Sequence, residues 1–96
     1  MQYDEFVASL AHGNPPEITG NLLALWYDGK GKWDRAHEIA QDNNGIEAAW
    51  VHAYLHRKEG DEWNAGYWYR RAGKDHCRLS LKEEWRELVK YFLDTT

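Results

Sequence analysis

Apolar residues recur along this chain at helical spacing, and nowhere do they alternate as a strand requires. Tyr3, Phe6, Val7 and Leu10 follow an i, i+3, i+4, i+7 pattern and predict a first helix that Gly13 ends. Asn14-Pro15-Pro16-Glu17 reads as the start of a second, with Asn14 as cap, Pro15 in the first turn and Glu17 returning to the cap; that helix should run to about Asp28. Gly29 and Gly31 turn the chain into a third, about Trp33 to Asp42, burying Ala36, Ile39 and Ala40. Asn44 with Glu47 predicts the cap of a fourth helix, to about Glu59, and Gly60-Asp61 leads into a fifth, Glu62 to Ala72. Ser80-Leu81-Lys82-Glu83 is a capping box for a last helix with the stripe Leu81, Trp85, Leu88, Val89, Phe92. Only Gly73 to Leu79 is long enough to be an irregular loop.

The pattern also repeats. Ala49 to Ala72 reads as two helices folded back around Gly60, and a weaker copy lies 29 residues earlier. Gly31 precedes Ala36 by five residues, as Gly60 precedes Ala65; Leu23-Ala24 stands where His52-Ala53 stands, and Tyr27 where His56 stands. One hairpin cannot bury its apolar face alone, so repeated hairpins stack. The expectation is a single all-α domain over 1–96. Its five to six helices form two tandem hairpins, about 17–44 and 46–73, with the first and last helices closing the two ends.

Residues 46–79 resemble a tetratricopeptide-type repeat. Gly60-Asp61, Ala65, Tyr69 and Ala72 match that motif's glycine turn and its small–aromatic–small second helix, and Ala53 its crossing point. In 17–44, Leu23, Ala24, Tyr27, Gly31 and Ala36 fit more loosely, Asn43 replaces the last small residue, and Cys77 stands where the closing proline would be. AHEIAQ, WVHAYLHRKEGD and NAGYWYRRAG further resemble the signature of a group of short, uncharacterised bacterial proteins, a likeness that implies a shared fold and supplies no mechanism. The tetratricopeptide likeness implies a protein that binds peptides or partner proteins and is not itself a catalyst.

Composition narrows the function classes. The mean hydropathy of -0.85 and 29% charged residues argue against a membrane protein. The opening MQYDEF has acids where a signal peptide carries Lys or Arg, and Cys77 has no intrachain partner, so a reducing cytoplasm is expected. Net charge is -4; residues 1–50 hold eight acids against three bases and residues 51–96 eight against nine, too few for a nucleic-acid footprint. Six Trp and six Tyr in 96 residues serve a small core or a binding face equally well, and exposed aromatics would suit a monomer that pairs weakly with itself.

Two candidate sites follow. Trp50, Tyr54, Arg57 and Lys58 interleave aromatics with cations on the face that would line a peptide groove. A polar cluster of His37, His52, His56, Asn64, Tyr67 and Arg70 exceeds what a hairpin needs, and is either a structural network or a pocket for a small molecule or metal, with a histidine as general base if it is a pocket. His52 and His56 are four apart on one helix and can supply two metal ligands, with Glu59, His37 or His76-Cys77 as a third; Ala53 after His52 excludes the metalloprotease pattern. The same two positions hold packing residues in the first copy, so core histidines are the expectation, with no metal and no cofactor. His76 and Arg78 beside Cys77 would favour its thiolate, but no base is fixed near it by spacing.

Overall fold

The computed structural model describes residues 1–95; Thr96, the last residue of the expected domain, lies outside them. Six helices follow one another: α1 Tyr3–Ser9, α2 Gly20–Gly29, α3 Trp33–Gln41, α4 Ile46–Lys58, α5 Glu62–Ala72 and α6 Leu81–Thr95. No strand occurs among the described residues, and the chain is all-α. Helices α2 and α3 pack together as one pair and α4 and α5 as the next, joined along α3 and α4. Helix α6 lies across α2 and α4, and α1 packs on α6. The first and last helices therefore meet on one side rather than closing two ends. Trp85 makes that junction: its ring meets Tyr3 and Phe6, and its indole N–H donates to the Leu25 carbonyl at 3.0 Å.

One core runs through all six helices, with Phe6, Leu25, Trp26, Val51, Leu55, Tyr69, Leu88 and Val89 fully buried. The radius of gyration, 12.4 Å, is that of one compact body of this length, about 12.5 Å. Val7 shares the periodicity of Phe6 but is 39% exposed, because α1 is only seven residues long and presents a single edge to α6.

Two predicted starts are displaced. Helix α2 begins at Gly20, six residues beyond Asn14. Neither Pro15 nor Pro16 offers an N–H, and a following proline drives Pro15 out of helical geometry. The chain instead closes a tight turn in which the Ile18 N–H donates to the Pro16 carbonyl at 2.8 Å. Helix α4 is preceded by Gly45 at φ 102°, with no side chain capping it. That conformation takes Asn44 out of register as a cap. Helix α1 also stops early, at Ser9 with Leu10 as its cap, short of the expected stop at Gly13. Elsewhere the ends match the pattern: the Asp61 carboxylate accepts from the Asn64 N–H, Gly73 ends α5, and Ser80 and Glu83 exchange both hydrogen bonds of the capping box.

Candidate functional site

Helices α3, α4 and α5 surround an open cleft of about 580 Å³. Gly45 and the small Ala48 and Ala49 of the first turn of α4 line part of it. Gln41 and Asn43-Asn44 contribute amides from the end of α3 and its connection; Asn64, Trp68 and Arg71 reach it from α5. The remaining lining residues are His37, His52 and His56, and no carboxylate of the described residues lines the cleft.

The three imidazoles form a triangle between two indoles. Ring centres are 5.3 Å apart for His37 and His52, 5.2 Å for His37 and His56, and 6.2 Å for His52 and His56. Trp33 stacks on His37 at 4.9 Å and Trp68 on His52 at 4.3 Å. Trp33 is held by its N–H, which donates to the Leu55 carbonyl at 2.8 Å. Trp68 carries the Arg71 guanidinium over its ring at 5.3 Å. Arg71 also donates to the Tyr67 hydroxyl at 3.0 Å and has no acidic partner among the described residues.

Hydrogen bonding sets which nitrogen faces the cleft. A carbonyl only accepts, so His52 Nδ1–H donates to Ala48 O at 3.3 Å. His56 Nδ1 bonds Glu59 at 2.8 Å. Neither Nε2 has a partner, and the one fully buried side-chain polar atom without a partner among the described residues is Asn21 Oδ1. Both Nε2 atoms therefore reach solvent, even though His52 as a residue is 5% exposed. Burial lowers the His52 pKa to about 4, with the charge of His37 acting the same way and the Ala48 bond opposing. Burial and His56 also lower His37, against Glu59 and Asp34. At neutral pH His52 and His37 are uncharged.

Beside the cleft, His56, Glu59 and Asp61 bring ligand-type atoms within 4.8 Å of one another. Both Asp61 oxygens already accept from Asn64, one from its backbone and one from its amide. This set is the hydrogen-bonded turn between α4 and α5. No other set of three histidine, cysteine or acidic side chains is that close among the described residues, so the three imidazole nitrogens do not yet converge.

Trp50, Tyr54, Arg57 and Lys58 sit away from the cleft: Trp50 and Tyr54 are buried, Arg57 is half-buried and Lys58 is exposed. Arg57 donates to Glu84 at 2.8 Å and also to the Leu79 carbonyl; Trp50 reaches the same carboxylate at 3.4 Å. Tyr54 and Lys58 both donate to Asp28 at 2.8 Å. These contacts fasten α4 to α6 and α2, and the aromatic members are buried. Burial, then Asp28, raises the Tyr54 pKa; burial, then Glu84, raises that of Tyr69, which donates to Glu84 at 2.6 Å.

Of the predicted polar cluster, His37, His52, His56 and Asn64 come together on the cleft. Tyr67 stands beside it, edge-on to Trp68, while Arg70 is exposed and outside it. Trp68 and Arg71 were not among the expected residues, yet they follow Asn64 at i+4 and i+7 on one face of α5. The Cys77 thiol is pushed up by burial, with its bond to Leu79 opposing and Glu84 reinforcing, so it is not the activated thiolate its neighbours suggested. His76 is engaged elsewhere, on Glu62 at 2.6 Å.

No protein-family model, curated protein or solved structure matches the chain. No helix among the described residues is long and apolar enough to cross a membrane.

Proposed function

We propose that this chain is a small non-catalytic binding module, cytoplasmic and built on tetratricopeptide-like hairpins, whose recognition site is the cleft between α3, α4 and α5. Its partner is a peptide or protein segment with polar and acidic groups. The observation that carries this reading is the cleft's lining. Imidazoles, four amides and Arg71 converge there, and Arg71 has no acidic partner among the described residues. A guanidinium held by Tyr67 and Trp68 but without an acid suits a carboxylate, and amides suit a peptide backbone. No serine, threonine, cysteine or carboxylate lines the cleft, so it lacks the usual nucleophiles for its histidines to activate. Trp50, Tyr54, Arg57 and Lys58 then serve as supports of the site rather than its surface.

A random heptapeptide display library panned on the immobilised protein tests this. Enriched peptides are measured by fluorescence anisotropy against the wild type, Arg71→Glu and Gln41→Trp. Saturable binding that weakens by at least about tenfold in both variants is expected, roughly 1.4 kcal/mol of recognition energy. Equal binding to all three proteins, or no enrichment, overturns the assignment.

A further inference from the structure

We propose that His37, His52 and His56 together bind one divalent transition-metal ion of the zinc class in the cleft. Two features of the geometry point to it. The first is ring spacing. Imidazoles bound through nitrogen to one tetrahedral ion at about 2.0–2.1 Å have ring centres about 5 Å apart. The His37–His52 and His37–His56 centres are 5.3 and 5.2 Å apart. The His52–His56 pair is 6.2 Å apart with planes 20° from parallel, about 1 Å wider than ligation needs. Ligation therefore requires one of these side chains to swing about its Cα–Cβ bond toward the other, and His56, the less buried of the two, is the one with room to do so.

The second feature is what holds the rings. Metal-binding histidines hydrogen-bond their other nitrogen to a carbonyl or carboxylate, which fixes the ring and leaves a lone pair for the ion. His52 Nδ1 is so held by Ala48 O, and His56 Nδ1 by Glu59. Their Nε2 atoms have no partner, and the cleft gives an ion a way in. Nitrogen-only ligation of this kind suits zinc, nickel and copper rather than calcium or magnesium. Three protein ligands leave a fourth position for water or an incoming group. The metal proposal and the peptide proposal fail separately, since a chain that captures peptides without metal leaves the first without support and the second intact.

The competing location is the turn set of His56, Glu59 and Asp61. Tag-free protein, stripped with chelator, is titrated with zinc chloride at pH 7 by calorimetry. One equivalent per chain is expected. His37→Ala and His52→Ala should each weaken binding by more than about tenfold, and Glu59→Gln by about 10–100-fold as a positioning residue. Asp61→Asn, which keeps a helix cap, should leave it unchanged. No binding by the wild type overturns the proposal, as does binding lost in Asp61→Asn but kept in His37→Ala. Circular dichroism checks the fold of each variant. Where an alanine variant unfolds, proton NMR of the wild type decides: zinc must shift the ring Cε1–H signals of His37, His52 and His56, and unmoved His37 and His52 signals overturn the site.

Discussion

Arg57 on α4 and Glu84 on α6, 27 residues apart, form an ion pair of 2.8 Å in which the carboxylate side chain is 1% exposed. Glu84 also accepts from Tyr69 and Trp50, so a single carboxylate ties α4, α5 and α6 together. Burial alone would lower the Arg57 pKa, yet the bond and charge of Glu84 raise it, which shows how closely the two charges are matched.

Glu84→Ala should therefore cost about 3–5 kcal/mol, because it strands a guanidinium and leaves two donors unsatisfied. That is a large share of the roughly 5–15 kcal/mol available to a domain. Replacing three of the four members, as Arg57→Met with Tyr69→Phe and Glu84→Leu, should recover much of the loss, since apolar residues of similar volume need no partners and only the long Trp50 bond is left unmade. Urea unfolding followed by tryptophan fluorescence measures both. A loss below about 1 kcal/mol in Glu84→Ala would contradict the buried pair.

Asp28 is a second anchor, 2% exposed and held by Tyr54 and Lys58. Tyr54→Phe removes a buried hydrogen bond to a charged group and should cost about 1.5–3 kcal/mol. Lys58→Met leaves the buried Asp28 carboxylate without its cation and should cost at least as much as Tyr54→Phe, up to about 3–5 kcal/mol, although Lys58 itself is 36% exposed along its side chain. Both effects belong to stability. Peptide or zinc affinity should stay unchanged in either variant, measured by the same titrations as for the cleft, and a selective loss of affinity would return Tyr54 and Lys58 to the binding surface.

These anchors show where local pattern stops being informative. Helices α3, α5 and α6 were legible within a residue or so, because periodicity and end signals agree there. That His52 and His56 share one face was legible from a spacing of four, and His37 was a candidate beside them without a spacing to place it. The burial of Glu84 and Asp28 was not. An acid on an amphipathic helix reads as solvated, and only the crossing of α6 over α4 and α2 puts these two inside. The same packing buries Trp50 and Tyr54 and ties Arg57 to Glu84 and Lys58 to Asp28, although their sequence pattern fits a groove equally well. Trp68 and Arg71 carry a signal too, the i, i+4, i+7 row from Asn64, which the more conspicuous Tyr67 and Arg70 overshadow.

Gly29→Ala tests the junction of α1, α2 and α6. A Cβ there would lie 3.0 Å from Trp85 Cζ2 and 3.1 Å from each Leu10 methyl carbon. Alanine gains about 1 kcal/mol over glycine in a helix, and overpacking costs about 1–3 kcal/mol. Overpacking wins here because Trp85 cannot swing away: Leu25 O, Tyr3 and Phe6 fix it. A net loss of about 1 kcal/mol is expected by urea unfolding, whereas a stabilised variant would mean that α6 slides freely over α2.

Acid should weaken the metal-free protein before its carboxylates titrate. His52 has a pKa of about 4 when folded, against 6.5 for an ordinary histidine. Between those values the unfolded chain binds a proton that the folded chain refuses, so stability rises with pH across that window. The contribution is complete above the ordinary value, is lost as pH falls toward 4, and changes no further below it. At about 1.4 kcal/mol per unit the loss is on the order of 3 kcal/mol, and less where solvent reaches the ring. His37 shifts the same way and adds to the slope, with Glu59 and Asp34 opposing it. Asp61 and Glu83 are held below the usual carboxylate range by their cap hydrogen bonds, so their losses come at lower pH. Urea unfolding of chelator-treated protein at several pH values between 7 and 4.5 measures the slope. His52→Gln, which cannot take up a proton, should flatten most of it. An unchanged slope in that variant would assign the acid sensitivity to the carboxylates and leave His52 as solvated as a surface histidine.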